Sequence, residues 1–166
     1  MITIKIMLPQ NHENIIFEIP EDKIGYILDI EDHDSIKNLK ETLIKKLDDP
    51  IGIKKLSDLI DSDNKILVVI DDISRETPVK KILPTIIGYL NKIGIEDNSI
   101  EILIGIGTHR YMSRKEIADR VGDKIGSRIK IYNNEWRNKD SFVFLGNSKT
   151  GIPIEINKKV KEFDFI

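Results

Sequence analysis

Two short segments hold most of the side chains in this sequence that could do chemistry: DDISRETP at residues 71–78 and GTHR at residues 107–110. Each follows an apolar β-favouring run, Ile66 to Ile70 in the first case and Ile100 to Ile106 in the second. Arg75 suits a carboxylate or phosphate, because its planar fork donates two parallel hydrogen bonds and stays charged at any working pH. Asp72, three residues earlier, has three options: to pair with Arg75, to orient His109, or to close an ordinary Asx-turn or helix cap. His109 follows Gly105, Gly107 and Thr108, whose small side chains permit close approach of backbone and ligand. A histidine held there can exchange protons near neutral pH, although a surface or capping histidine is the plainer alternative. GIGTHR also begins like a glycine-rich phosphate loop but lacks the spacing of a dinucleotide or Walker motif.

Other candidates carry less. His12 and His33 lie among Asn, Gln, Asp and Glu and read as solvated loop positions. With three histidines, none sharing a helix face, and no cysteine, the ligand spacing offers no self-sufficient transition-metal site. Any metal must be held mostly by other residues. Trp136, in NNEWRN, reads as a partly buried aromatic beside a loop and is given no functional role.

The elements that must position these segments follow from periodicity. Residues 1 to 30 alternate β-favouring stretches, Ile2 to Met7, Ile15 to Ile19 and Tyr26 to Ile30, with turn-forming residues. From Asp34 or Ser35, the spacing of Ile36, Leu39, Leu43 and Leu47 predicts an amphipathic helix stopped by Pro50. A short helical piece at Lys54 to Ile60 precedes the Ile66 to Ile70 run. That run is apolar on both faces, as expected inside a parallel sheet covered on both sides. Thr77 as N-cap with Pro78 in the first turn suits a helix start, but Pro84 disfavours a helix interior, so the main helix is expected from near Pro84 to the capping Gly94. Ser113 and Glu116 form a capping box for a helix ending at Val121 before Gly122. Ile129 to Tyr132, Phe142 to Leu145 and Ile152 to Ile156 read as strands, the last two joined by NSKTG. The expected fold is α/β: a mostly parallel, Rossmann-like, three-layer sheet with flanking helices after a strand-rich N-terminal segment, in one domain over residues 1–166. The closing FDFI reads as part of another strand, which suggests a truncated domain.

Composition narrows the partners. With 26 basic against 28 acidic side chains and a net charge of -2, the chain lacks the basic surface that nucleic-acid binding needs. No signal peptide or bilayer-length apolar run appears, so a cytoplasmic protein without membrane partners is expected.

In this order and spacing, DDISRETP after a buried strand, a helix, and then ILIGIGTHRYMSRKE resemble the N-terminal signature of the nickel-pincer lactate racemase family. DDPIGIKKLSDLI is similar to that family's Pro-Ile-Gly segment, and FLGNSKTGIPIEINKKVKEFD to its later hairpin and the Asp before the next strand. The resemblance runs from about Leu47 to Asp164. It implies the N-terminal portion of a longer two-domain isomerase that racemises or epimerises 2-hydroxy acids. The implied cofactor is a nickel pincer complex on a pyridinium mononucleotide, whose ring takes hydride from the substrate's alpha carbon while two histidines exchange the hydroxyl proton. On this resemblance His109 matches one catalytic histidine, Arg75 the substrate-carboxylate arginine, and Asp72 the acidic residue of the same loop. Asp72, Ser74 and Thr108 would meet the cofactor. The second histidine, the tethering lysine, the nickel-ligating histidine and the second domain's substrate contacts have no counterpart here. The expectation is therefore an isolated chain that is inactive and holds no cofactor stably, with the missing C-terminal domain as its partner. Asn134 stands where many relatives have histidine. Two alternatives remain open: a noncatalytic α/β module binding a phosphate- or carboxylate-bearing metabolite, and a related enzyme acting on a sugar acid.

Overall fold

A computed structural model describes residues 2–10, 13–28 and 34–166, so His12 and His33, read above as solvated, lie outside the described residues. Backbone contacts divide the chain into two compact units, residues 1–35 and residues 36–166. The first is an antiparallel hairpin of β1 (Thr3–Gln10) and β2 (Glu13–Pro20), paired from Thr3 opposite Pro20 to Gln10 opposite Glu13. The strand expected at Tyr26 to Ile30 does not form over residues 26–28, where Tyr26 is 90% and Leu28 94% exposed. β-favouring residues make a strand only where a neighbouring backbone pairs with them, and none does so here among the described residues.

The second unit opens with α1 (Leu39–Asp48). It begins later than the apolar spacing predicts because Asn38 caps it, its side-chain oxygen accepting from Glu41 N–H at 3.2 Å, which leaves Ile36 outside the helix. The helical piece expected at Lys54 to Ile60 is a single 3₁₀ turn, Leu56–Asp58. Then follow β3 (Ile66–Asp71), α2 (Val79–Lys92), β4 (Ile100–Gly105), α3 (Arg114–Val121), the helical turn α4 (Asp123–Gly126) and β5 (Lys130–Asn133). The three strands form one parallel sheet in the order β3-β4-β5, with Ile70 opposite Ile104 and Asp71 opposite Gly105. On the other edge of β3, Phe165 makes an isolated parallel bridge to Ile66, its carbonyl accepting from Leu67 N–H at 2.9 Å. A bulged antiparallel hairpin, β6 (Phe142–Asn147) with β7 (Pro153–Asn157), turns through NSKTG as its residues demand.

α2 departs from expectation at its start. It runs unbroken from Val79 with Pro84 inside, and Thr77 makes no side-chain cap. Pro84 forfeits one helix hydrogen bond. Val79, Leu83, Ile87 and Leu90, all buried against the sheet's core cluster, offset it by keeping one apolar stripe continuous through the proline. The capping box of α3 forms as the sequence requires, with Ser113 and Glu116 each accepting from the other's backbone N–H. The core sits under β3 and β4, where Leu67, Ile87, Ile102, Ile104 and Val121 are fully enclosed.

Because Ile102 is fully buried in the central strand, Ile102→Ala should destabilise the protein by about 2–5 kcal/mol through lost transfer energy and the cavity left behind. A fall in the denaturant midpoint at unchanged slope is the expected reading.

Candidate active site

The parallel register carries the ends of β3 and β4 to the same edge of the sheet, so the loops at 71–78 and 106–112 lie side by side. The link between them is a hydrogen bond from His109 Nδ1 to Asp72 Oδ2 at 2.6 Å. Asp72 is 5% exposed, the one buried charged side chain among the described residues. A buried carboxylate is costly unless its oxygens are satisfied, and these are. Oδ1 accepts from the Ser74 backbone N–H at 3.0 Å and from the Ser74 hydroxyl at 2.5 Å, while Oδ2 faces the imidazole. Burial pushes the Asp72 carboxyl up, but the hydrogen bonds from Ser74 and His109 outweigh it and hold its pKa at about 2.

Of the three options open to Asp72 from sequence, two are taken together: one oxygen closes the Asx-turn and the other meets His109. The third, a pair with Arg75, does not form. Since Asp72 is ionised at neutral pH, it favours the Nδ1–H tautomer of the ring, with Nε2 as the acceptor nitrogen. The His109 side chain is 57% exposed. Its turn closes through His109 N–H to the Ile106 carbonyl at 3.0 Å, with Gly107 at a φ of 56° that favours glycine. Close approach is not what Gly105 provides against this chain, since a Cβ there would meet its neighbours at ordinary contact, 3.6 Å and beyond.

Arg75 is exposed, and among the described residues its guanidinium has no hydrogen-bond or ion-pair partner. Its backbone, by contrast, is held at both ends. The N–H donates to the Asp72 carbonyl at 3.3 Å, and the carbonyl accepts from Arg120 at 3.0 Å. Arg120, on α3 and nearly buried, also binds the Asp71 carboxylate and carbonyl. Desolvation raises the Asp71 carboxyl, yet hydrogen bonds from Thr77 and Arg120 bring it below the usual carboxylate range. Sequence reading missed this brace. The signal available was an arginine in the last turn of a helix packed beside an Asp-Asp loop. Thr108 is exposed beside His109. Asn134 joins β7 to the sheet end, its side-chain oxygen accepting from Asn157 at 2.9 Å. Among the described residues no three His, Cys, Asp or Glu side chains gather as metal ligands. A surface hollow of about 690 Å³ lies along β5 and α3 and is lined by none of Asp72, Arg75 and His109.

The depressed Asp72 pKa predicts a pH effect of definite sign. Its contribution to stability is complete above the ordinary value of 3.8 and disappears as pH falls through about 2. Unfolding free energies measured from pH 5 to pH 2 should therefore drop less steeply in Asp72→Asn than in the parent chain; parallel curves would contradict the assignment.

The profile of the lactate racemase N-terminal domain family matches residues 11–166. The chain is 28% identical over 163 residues to the lactate racemase of Thermoanaerobacterium thermosaccharolyticum, covering 97% of this chain and 38% of that protein. With the lactate racemase of Lactiplantibacillus plantarum it shares 30% identity over 127 residues, 76% of this chain and 30% of that one. It superposes on the lactate racemase apoprotein of T. thermosaccharolyticum with a TM-score of 0.77 at 26% identity, over 97% of this chain and 37% of the other. A Thermotoga maritima protein of known structure superposes with a TM-score of 0.57 at 25% identity, over 76% of this chain and 32% of that protein. The chain thus spans well under half the length of the curated relatives it matches, and within that span it belongs to the lactate racemase N-terminal domain family.

Proposed function

We propose that residues 1–166 act as one family domain, contributing half of the active site of a 2-hydroxy-acid racemase or epimerase. The observation that carries this reading is the buried Asp72 carboxylate holding His109 Nδ1 at 2.6 Å while the ring stays exposed. In that arrangement Nε2 takes the substrate's hydroxyl proton and later returns it, with Asp72 as the positioning residue that keeps the lone pair outward. Arg75 holds the substrate carboxylate through its free guanidinium fork, on a backbone fixed by Arg120. The family match across residues 11–166 supports treating both compact units as one functional piece.

The family resemblance implies a nickel pincer on a pyridinium mononucleotide, which when bound supplies the acceptor for the alpha-carbon hydride. The donor set here fits the polar periphery of such a group rather than its metal. Thr108 offers an exposed hydroxyl, whereas the Ser74 hydroxyl proton and both Asp72 oxygens are already committed to each other and to His109. Thr108 is thus the better contact, and Ser74 and Asp72 act inside the protein network. The remaining contacts, including the metal ligands, are expected from other parts of the family's longer proteins.

A nucleophilic Ser-His-Asp hydrolase is disfavoured by the wiring. Ser74 Oγ approaches His109 at Nδ1, 3.4 Å away, on the same side as Asp72. A serine nucleophile needs the opposite nitrogen.

In the holoenzyme, His109→Ala should lower kcat about 10²- to 10⁴-fold, the usual worth of a positioned acid–base group. Arg75→Ala should raise KM by about 10- to 100-fold, matching a charge-assisted hydrogen bond of roughly 1.5–3 kcal/mol. Racemisation of lactate at full rate by His109→Ala would end the acid–base reading, and an unchanged KM in Arg75→Ala would end the clamp.

A further inference from the structure

The orientation of His109 rests on two restraints, and only one is its contact with Asp72. The second reaches it from beyond β5. Trp136 Nε1–H donates to the His109 backbone carbonyl at 2.8 Å. The indole that makes this bond is itself fixed: it packs against the buried cluster of Ile104, Ile106 and Met112, and the Arg137 guanidinium lies 4.8 Å over its ring. Neighbouring residues of the same segment hold the rest of the histidine's loop. Asn133 accepts from Met112 N–H at 3.1 Å and donates to the Met112 carbonyl at 3.0 Å, and Arg137 N–H reaches the Tyr111 hydroxyl at 3.4 Å. Four hydrogen bonds with Asn133, Trp136 and Arg137 therefore tie His109, Tyr111 and Met112 to the carboxyl end of β5 and the residues that follow it.

We propose that Trp136 is a positioning residue for His109, its indole N–H fixing the carbonyl so that the imidazole stays on Asp72 with Nε2 outward. Without that bond the His109 backbone is held on one side only, by its turn to Ile106. The ring then swings relative to a carboxylate that cannot follow, because Ser74 pins it. The inference rests on the acid–base reading of His109 for its catalytic consequence, but the contact itself can be read without turnover.

Trp136 is the one tryptophan in the sequence, so biosynthetic replacement of tryptophan by 3-benzothienylalanine in this chain exchanges the indole N–H for sulfur at this position alone. Imidazole nitrogen shifts of His109 report its tautomer directly. The expected result is a move from the Nδ1–H form towards a mixture, with faster exchange of the Nδ1 proton. In the holoenzyme, Trp136→Phe should lower kcat by about tenfold with KM within about twofold, as small misplacements of a reacting group do. A tautomer unchanged in the analogue-substituted chain overturns the inference, whether or not the Phe variant folds. So does a Phe variant whose loss falls on KM alone. A shifted tautomer combined with indifference of kcat to His109→Ala would instead remove the acid–base reading and leave the positioning contact standing.

Discussion

The proton-exchange role proposed for His109 depends on one hydrogen bond between two loops 37 residues apart, from His109 Nδ1 to Asp72 Oδ2. It joins the ends of adjacent parallel strands, and a parallel ladder makes it possible: with Asp71 opposite Gly105, both loops leave the sheet at one level. An antiparallel pair would have sent them to opposite edges. The bond also explains how a buried carboxylate is tolerated. Ser74 supplies two donors to one oxygen, and the imidazole satisfies the other. Removing the histidine would leave a buried acceptor short of a partner, so the residue proposed to move protons also completes the local structure.

The two consecutive aspartates divide the work. Side chains of successive residues leave a strand in opposite directions, and the partners of Asp71 and Asp72 differ accordingly. Asp71 binds Arg120 and Thr77 and so fastens the loop to α3 and to the start of α2. Asp72 turns towards β4 and the histidine. Arg120 extends the brace to the Arg75 carbonyl, so the exposed guanidinium of Arg75 projects from backbone that is fixed on both sides of the residue. A long, flexible side chain recognises a carboxylate better from a rigid base, since less freedom is lost on binding.

How much of this could be read in the sequence varied with the range of the interaction involved. Short-range chemistry was legible: the capping box of Ser113 and Glu116, the apolar runs that became β3 and β4, and the NSKTG turn all formed, although β3 is not covered on both faces as its run predicted, Val69 being 49% exposed. Where local signals competed, the sequence was ambiguous. Pro84 argued against a helix interior, yet the buried stripe from Val79 to Leu90 carried the helix through it. Tyr26 to Leu28 had strand-forming residues but, among the described residues, no partner backbone. At the site, residue types pointed to Asp72, Arg75 and His109, because their chemistry is intrinsic. Their supports, Arg120 and Trp136, were much harder to read for a different reason. An arginine in a helix and a tryptophan in a loop acquire meaning only when the fold brings them 45 and 27 residues back to the carbonyls they bind.

The strand order gives a reason, independent of any relative, for the site to lie where it does. From β3 the chain steps outward to β4 and then β5, always towards the same side. After the β6–β7 hairpin it returns across the sheet, and Phe165 pairs with Ile66 on the opposite edge of β3. The direction of winding therefore reverses at β3. In open parallel sheets ligands bind beyond the strands' carboxyl ends. The loop that leaves β3 at that point is the one bearing Asp72, Ser74 and Arg75, and the loop beside it, from β4, bears Thr108 and His109. Both loops leave the carboxyl edge of the parallel sheet, where side chains are exposed without having to open the core. The fold can hold the carboxylate of Asp72 dry beneath them while Arg75 and His109 remain accessible, as anion binding and proton exchange both require.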